Sequence, residues 1–341
     1  MKKPYFIAEI SANHSGSLNV AKKLIKIAKY YGADAVKLQT YTADSMTLNS
    51  NKKNFLVKSG LWKNERLWNL YDRAKTPYEW HPKLFAYAKK LNITCFSTPF
   101  DSNAVDLLEQ LKCPFYKISS FEMNDLPLIE KVLKTKKPLI LSTGTSSLNE
   151  IRSVMNFIRK KNSKTKIFLL YCVSNYPASY RDFNLNNISI LKKEFNCTVG
   201  LSDHSIDNKV AIAAIGAGAG IFEKHIAIKE SKKSPDFKFS LIEEQIGEYR
   251  KCLDETFEMF KKNQFYRNKT ENFYKNFRRS IYAVRNIKKG DLFTENNIKL
   301  LRPVKGIGPE YYKKIINRKS PYNISAETSL KKSILIKLKI K

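Results

Sequence analysis

Eight short runs of β-type residues recur along most of the chain, each followed by a stretch long enough for a helix. The runs cover residues 5–10, 35–40, 94–98, 115–119, 139–143, 167–172, 198–202 and 221–226. They are rich in Val, Ile, Phe and Tyr, and their near-continuous apolar character is that of strands buried on both faces. Between most of them lie amphipathic stretches, at 18–31, 78–91, 149–160 and 209–219. Eight βα repeats predict a closed (β/α)8 TIM barrel. An open doubly wound sheet is the alternative, but no Gly-x-Gly-x-x-Gly follows the first run.

The pattern fills residues 1–262, ending with a helix over 242–262. One insertion, 41–76 after the second run, is long and polar and carries Gly60, Trp62 and Trp68; a loop at that end of a barrel shapes the active site. Residues 263–277 are charged and aromatic-bearing and are predicted to be a linker. Over 278–341 the runs shorten and turns appear at Lys289-Gly290-Asp291 and Gly306-Ile307-Gly308-Pro309, which predicts a second, small, mostly β domain.

Composition narrows the classes. Of the 341 residues 43% are hydrophobic, enough for a core, and no apolar run is long enough to span a bilayer. The start, Met1-Lys2-Lys3-Pro4, soon meets Glu9 and Asn13, so no signal-peptide core is present and the expected location is the cytoplasm. The 5 cysteines are scattered without a Cys-x-x-Cys pair, which predicts free thiols. The net charge of +31 raises a basic nucleic-acid-binding protein as a rival reading. The lysines are spread over nearly every segment, however, which makes a nucleic-acid partner the weaker expectation.

Catalytic side chains of a barrel come from the C-terminal ends of its strands. Here those ends supply Glu9, Asn13 and His14; Lys37 and Gln39; Thr98; Lys117, Ser119, Ser120 and Glu122; Ser142 and Thr143; Ser174, Asn175 and Tyr176; Ser202, Asp203 and His204; and Glu223, Lys224 and His225. Packing does not explain polar residues closing eight apolar runs. By strand alternation Lys37 and Gln39 share a face, as do Ser202 and His204, and Glu223 and His225. Of the 4 histidines, His204 and His225 end adjacent strands and are candidate metal ligands, the alternative being hydrogen-bonded core residues. Two histidines with no cysteine beside them suit an open divalent site, Mn²⁺ or Mg²⁺, better than structural zinc. Lys37 and Lys117, costly to bury unless they meet an anion, join Thr98, Ser120, Ser174 and Ser202 as donors for phosphate and carboxylate. A Schiff-base aldolase is the rival use of such a lysine. Glu9 and Glu122 are candidate proton-transfer groups; Glu9 could instead be a buried partner of Lys37, and Glu122 a helix-start carboxylate.

These stretches resemble the sialic acid synthase family. The matching segments are Ala8-Glu9-Ile10-Ser11-Ala12-Asn13-His14-Ser15-Gly16, Val36-Lys37-Leu38-Gln39-Thr40, Phe96-Ser97-Thr98-Pro99-Phe100, Tyr116-Lys117-Ile118-Ser119-Ser120-Phe121-Glu122, Leu141-Ser142-Thr143-Gly144, Gly200-Leu201-Ser202-Asp203-His204-Ser205 and Glu223-Lys224-His225. Ile287-Lys288-Lys289-Gly290 and Leu301-Arg302-Pro303 resemble the small antifreeze-like (SAF) domain of those enzymes. The resemblance implies condensation of phosphoenolpyruvate with an acetamido sugar, with release of phosphate. It also implies Mn²⁺, or alternatively Mg²⁺ or Co²⁺, on His204 and His225. It places phosphoenolpyruvate on Lys37, Thr98, Lys117, Ser120, Ser174 and Ser202, and the sugar on Gln39, Glu122, Tyr176 and Asp236. Arg302 would reach the sugar from a partner subunit, in a homodimer with exchanged C-terminal domains. Ser174 stands where N-acetylneuraminate-making members carry Asn, and Ser119-Ser120-Phe121 replaces a Gly-Ser-Gly run; both weigh against N-acetylmannosamine. Gly60-Leu61-Trp62, Thr76-Pro77-Tyr78-Glu79-Trp80-His81 and Lys238-Phe239-Ser240-Leu241 resemble the branch that uses a 2,4-diacetamido-2,4,6-trideoxy altrose to make pseudaminic acid. The legionaminic and N-acetylneuraminic acid branches are the alternatives.

Overall fold

The computed structural model describes residues 3–262 and 264–340; Met1, Lys2, Asn263 and Lys341, which lie at the limits of the expected segments, fall outside them. The chain forms two compact units, Met1–Lys261 and Lys262–Lys341.

The first unit is the barrel. Its strands are β1 (Tyr5–Glu9), β2 (Ala35–Thr40), β3 (Thr94–Pro99), β4 (Tyr116–Ile118), β5 (Leu139–Ser142), β6 (Ile167–Cys172), β7 (Thr198–Asp203) and β8 (Ile221–Ala227). Each pairs in parallel with the next, and β1 pairs with β8, so the sheet closes. A two-residue strand, β9 (Leu241–Ile242), extends β8 on the far side of a loop. Gly200 is required by this closure, because a Cβ there would run into the backbone oxygen of Ile221 on β8.

Local sequence fixes where the helices begin. Ser17 accepts a hydrogen bond from the backbone N–H of Val20 at the start of helix Leu18–Tyr30. Asp101 does the same for Ala104, and Asp125 for Leu128. Ser147 and Glu150 form a reciprocal capping box at the start of helix Leu148–Lys161. The apolar stripe of each helix then packs on the sheet; Ala21, Leu24, Ile25 and Ala28 are the buried set of the first.

Strand alternation separates two kinds of polar strand end. Asp203 and Lys224 are paired across β7 and β8 and turn away from the barrel interior, toward the helix Glu244–Phe260. Lys224 Nζ lies 3.1 Å from Asp203 Oδ2, both side chains are fully buried, and the hydroxyl of Tyr249 donates to the same carboxylate oxygen. These two strand-end residues therefore hold barrel to helix rather than line a site.

The insertion after β2 is mostly exposed or half-buried. It carries the helices Ala43–Met46 and Leu67–Ala74, and between them residues 57–65 form a tight turn closed by hydrogen bonds between Val57 and Glu65 and between Asn64 and Val57.

The second unit is built on a three-stranded antiparallel sheet of β10 (Ser280–Ala283), β11 (Ile298–Leu301) and β12 (Thr328–Ser329), with β10 central. Ile281, Ile287, Phe293, Ile298, Ile307 and Leu330 belong to its own apolar core. The expected linker is not irregular: helices Lys269–Phe273 and Tyr274–Phe277 occupy it, the first capped by Asn268. Among the described residues no helix is long and apolar enough to cross a membrane, and all five cysteines are free.

Asp203→Ala should lower the free energy of unfolding by about 3–5 kcal/mol, because it strands the Lys224 ammonium in the interior. Urea titration of purified protein measures this.

Candidate active site

The C-terminal ends of the strands open onto a cavity of about 380 Å³. Its floor follows from strand register. Glu9 on β1 pairs with Lys37 on β2 and with His225 on β8, and paired residues of parallel neighbours point to the same face, so all three project inward. Ser202 on β7 pairs with Glu223 on β8, two residues before His225.

Four of these charges form one buried cluster. Lys37 Nζ lies 2.6 Å from Glu9 Oε2 and donates to Thr98 Oγ1 at 3.1 Å. It also approaches Glu223 Oε2 at 3.8 Å. Lys117 Nζ reaches the other oxygen of Glu223 at 3.3 Å, and Ser202 Oγ donates to that oxygen at 3.0 Å. Burial pushes Glu9 up to about 7, reinforced by repulsion from Glu223 and opposed by Lys37. Burial also raises Glu223, but Lys117, Lys37 and the Ser202 hydroxyl outweigh it and hold this carboxylate well below the usual range. Desolvation lowers Lys117, helped by the neighbouring Lys37 and opposed by Glu223. The physical result is one firmly ionised carboxylate shared by two ammoniums, and a second carboxyl poised to carry a proton.

The histidines form the wall beside this cluster, His225 on the same strand as Glu223, with ring centroids 5.6 Å apart. His204 Nδ1 is 2.9 Å from the Val173 carbonyl, which fixes the ring and leaves Nε2 for another partner. His225 Nδ1 is buried with no hydrogen-bond partner, and burial together with His204 and the nearby lysines keeps this ring neutral. Asp236 Oδ2 is 3.7 Å from it and accepts from the Ala12 backbone N–H at 3.3 Å. Among the described residues no cluster of three or more His, Cys, Asp or Glu is arranged around one metal position. Burial lowers His204, but Cys172 and the Val173 carbonyl outweigh it and raise this ring, so of the two only His225 is held neutral. Its orphaned nitrogen beside the free Nε2 of His204 fits a divalent ion, which would displace the proton from His204 and take its other ligands from water and substrate.

Asn13 positions this wall. It donates to the Ile226 carbonyl at 2.8 Å and to Ser240 Oγ at 2.7 Å, and accepts from Ser234 Oγ at 2.7 Å. The loop that carries Asp236 and Phe239 is thereby tied to β8. Phe239 then packs on His225 and on Tyr176, with centroids 4.9 and 5.2 Å away, and Tyr176 lies on His204 at 4.4 Å.

A third region gathers hydroxyls around Gly144. Its backbone N–H donates to Ser120 Oγ at 3.1 Å, and a Cβ at this glycine would collide with the hydroxyls of Ser120 and Ser174. Ser142 Oγ is buried nearby on β5 with no partner. Gln39 lines the cavity alongside Lys37, as strand alternation predicts. Glu122 does too; burial and Asp125 push its carboxyl up to about 7, and the Ser119 hydroxyl donates to it.

The cavity thus brings together Lys37, Gln39, Thr98, Lys117, Ser120, Glu122, Tyr176, Ser202, His204, His225 and Asp236. Glu9 is fully buried against Lys37 and is not among the lining residues. Ser174 sits beside Gly144 and Cys172 rather than among the lining residues. Arg302 belongs to the second unit, exposed at the end of β11 in a hollow shared with Arg278, Arg279 and Tyr311. Glu223 is the residue that sequence reasoning undervalued. The signal was present, since it lies two places before His225 on one strand face. A strand-end list could not say which neighbour it would meet.

Residues 24–264 match the NeuB family, and residues 278–335 match the SAF domain. The chain belongs to the NeuB family. Within it, the chain is 42% identical over 346 residues to the pseudaminic acid synthase of Campylobacter jejuni strain 81-176, covering 97% of this chain and 96% of that one. It is 41% identical over 331 residues to the pseudaminic acid synthase of Helicobacter pylori strain 26695, covering 97% of each. Its structure matches the N-acetylneuraminic acid synthetase of Leptospira borgpetersenii, solved in complex with citrate, with a TM-score of 0.71 and 28% identity over 80% of this chain and 90% of that one. The NeuB match ends close to the border between the two compact units.

Glu122 provides a pH test. Its folded-state value, raised to about 7, means that the folded protein holds a proton there that the unfolded chain releases near 4.5. Its contribution to stability is therefore fully present at low pH and is lost as pH rises through 7. Glu122→Gln should flatten the fall in stability between about pH 4.5 and 7, read by thermal melting at several pH values; an unchanged slope would contradict the assignment.

Proposed function

We propose that the protein condenses phosphoenolpyruvate with 2,4-diacetamido-2,4,6-trideoxy-L-altrose, giving pseudaminic acid and phosphate. The observation that carries this is the pair of lysines, Lys37 and Lys117, in a cavity that also holds two histidines and an aromatic wall, in a NeuB chain 41–42% identical over nearly its full length to pseudaminic acid synthases. Burial raises Glu9, so the cluster carries less negative charge than two fully ionised carboxylates would, which favours an incoming anion.

Lys37, Lys117, Thr98 and Ser202 would hold the phosphate and carboxylate, with Ser120 and Ser174 closing the Gly144 side. Gln39, Tyr176 and Asp236 would orient the open-chain sugar so that its aldehyde carbon faces the methylene carbon of phosphoenolpyruvate. His204 and His225 would hold Mn²⁺, or Mg²⁺ or Co²⁺ in its place, and such an ion supplies Lewis-acid polarisation of the sugar aldehyde when bound. The new C–C bond forms at the methylene carbon, and water then adds at the phosphate-bearing carbon. Glu122 stands at the cavity lining with a carboxyl poised near neutrality and would take the proton from that water. Glu9, ion-paired on the floor, would keep Lys37 aimed at the anion. Cleavage of the C–O bond releases phosphate and leaves the ketone. The partner subunit's Arg302 would reach the sugar's acetamido group in an exchanged-domain homodimer, for which its exposed position in the second unit leaves it available. We place the reaction in the cytoplasm, where phosphoenolpyruvate is produced.

Phosphate release measured with phosphoenolpyruvate, Mn²⁺ and a sugar panel tests this reading. Chelator-sensitive release with the diacetamido altrose in preference to the diacetamido mannose and to N-acetylmannosamine is the expected result. His225→Ala should abolish chelator-sensitive turnover. Lys117→Met should cost about 1.5–3 kcal/mol in phosphoenolpyruvate kcat/KM, roughly ten- to a hundredfold. Arg302→Ala should raise the KM of the sugar far more than that of phosphoenolpyruvate.

A further inference from the structure

The chain has 3 tryptophans, and their indole N–H groups are treated differently by the fold. Trp68, on the insertion after β2, donates from Nε1 to Asp44 Oδ1 at 2.7 Å. Trp80 packs edge-on against the buried His14, with centroids 5.5 Å apart. Trp62 lines the active-site cavity, and its Nε1 is buried with no hydrogen-bond partner. A buried donor left unpaired is destabilising, so a ligand acceptor is the natural completion of this group.

The other buried lining atoms without a hydrogen bond, among the described residues, belong to Ser142, Glu223 and His225, and the Glu223 oxygen is ion-paired with Lys37. Those groups face the anion and the metal-binding side. Trp62 comes instead from the tight turn at 57–65, braced by Arg73 on Glu65 at 2.8 Å, and its ring lies 5.8 Å from Tyr176. Tyr176 in turn stacks on His204. Trp62 therefore enters the cavity beside Tyr176 from the insertion after β2, not from the strand ends that carry the histidines. Val57, Met46, Leu67 and Leu70 complete this end of the cavity with apolar surface and add no hydrogen-bonding side chain of their own. An indole N–H can only donate, so the complementary ligand group is an acceptor. An acetamido carbonyl bearing a methyl satisfies both the donor and the apolar lining; a sugar hydroxyl satisfies only the donor.

We propose that Trp62 is a specificity-determining residue whose Nε1–H donates to the carbonyl of the sugar's second acetamido group, the one at C4. This rests on the diacetamido reading given above. The C2 group lies next to the reacting aldehyde, while C4 extends along the chain toward the Trp62 end.

The test is a cycle between one side-chain atom and one substrate group. Trp62→Phe keeps an aromatic ring and removes the N–H. Steady-state KM and kcat are measured for wild type and Trp62→Phe, with the diacetamido trideoxy sugar and with its analogue lacking the C4 acetamido group. Expected is a roughly tenfold or larger rise in KM for the diacetamido sugar on substitution, little change for the analogue, and an unchanged KM for phosphoenolpyruvate. That unchanged KM also reports an intact fold, and a thermal melt within a few degrees of wild type supports it. Equal effects on both sugars, or no effect on either, would overturn the assignment of the N–H while leaving the diacetamido reading in place. A wild-type preference for N-acetylmannosamine over both would overturn the reading and the inference together.

Discussion

The structure depends on a buried ionic cluster. Glu9, Lys37, Lys117 and Glu223 come from β1, β2, β4 and β8, and they meet at the centre of a barrel where water cannot screen them. Isolated, each charge would be expensive to bury, and removing one partner would leave the others uncompensated. Together they set the spacing of the strand ends and leave two ammoniums directed at the cavity. The same cluster thus joins folding to the proposed function, because what holds strands of both halves of the barrel in place is also what is proposed to receive an anionic substrate.

Around this cluster the fold assigns different duties to similar residues. Asp203 and Lys224 flank His204 and Ser202, or Glu223 and His225, by a single position, yet alternation turns them outward to clamp the helix that carries Tyr249. Asn13 spends its amide on Ile226, Ser234 and Ser240, and so positions the loop bearing Asp236 and Phe239 rather than touching substrate space itself. The aromatic wall of Tyr176, Phe239 and Trp62 gives the cavity a less polar face beside its charged floor. The two substrates proposed for it, an anion and a deoxygenated, acylated sugar, differ in the same way.

Much of this was legible in the chain. The eight strands fall within a few residues of their expected bounds, because each is a short apolar β-branched run bounded by capping residues such as Ser17, Asp101 and Ser147. Alternation on β2 correctly put Lys37 and Gln39 on one face. The segment after residue 262 was harder to read. Its charged, aromatic composition predicts a linker, and within it Asn268 caps a short helix, a local hydrogen bond that composition does not display.

What the sequence by itself determined is the period of the fold and the kinds of chemistry at its strand ends, because buried strands need apolar runs and a polar residue closing one is a departure that can be seen. Only the tertiary structure decided which polar ends share a space. Glu223 became the common partner of two lysines, Gly144 became the point where two serines close in, and Trp62 was left with an unpaired N–H facing a ligand cavity. These are contacts between residues tens to hundreds of positions apart, fixed by barrel closure and strand register, and no local pattern in the chain encodes a distance of that kind.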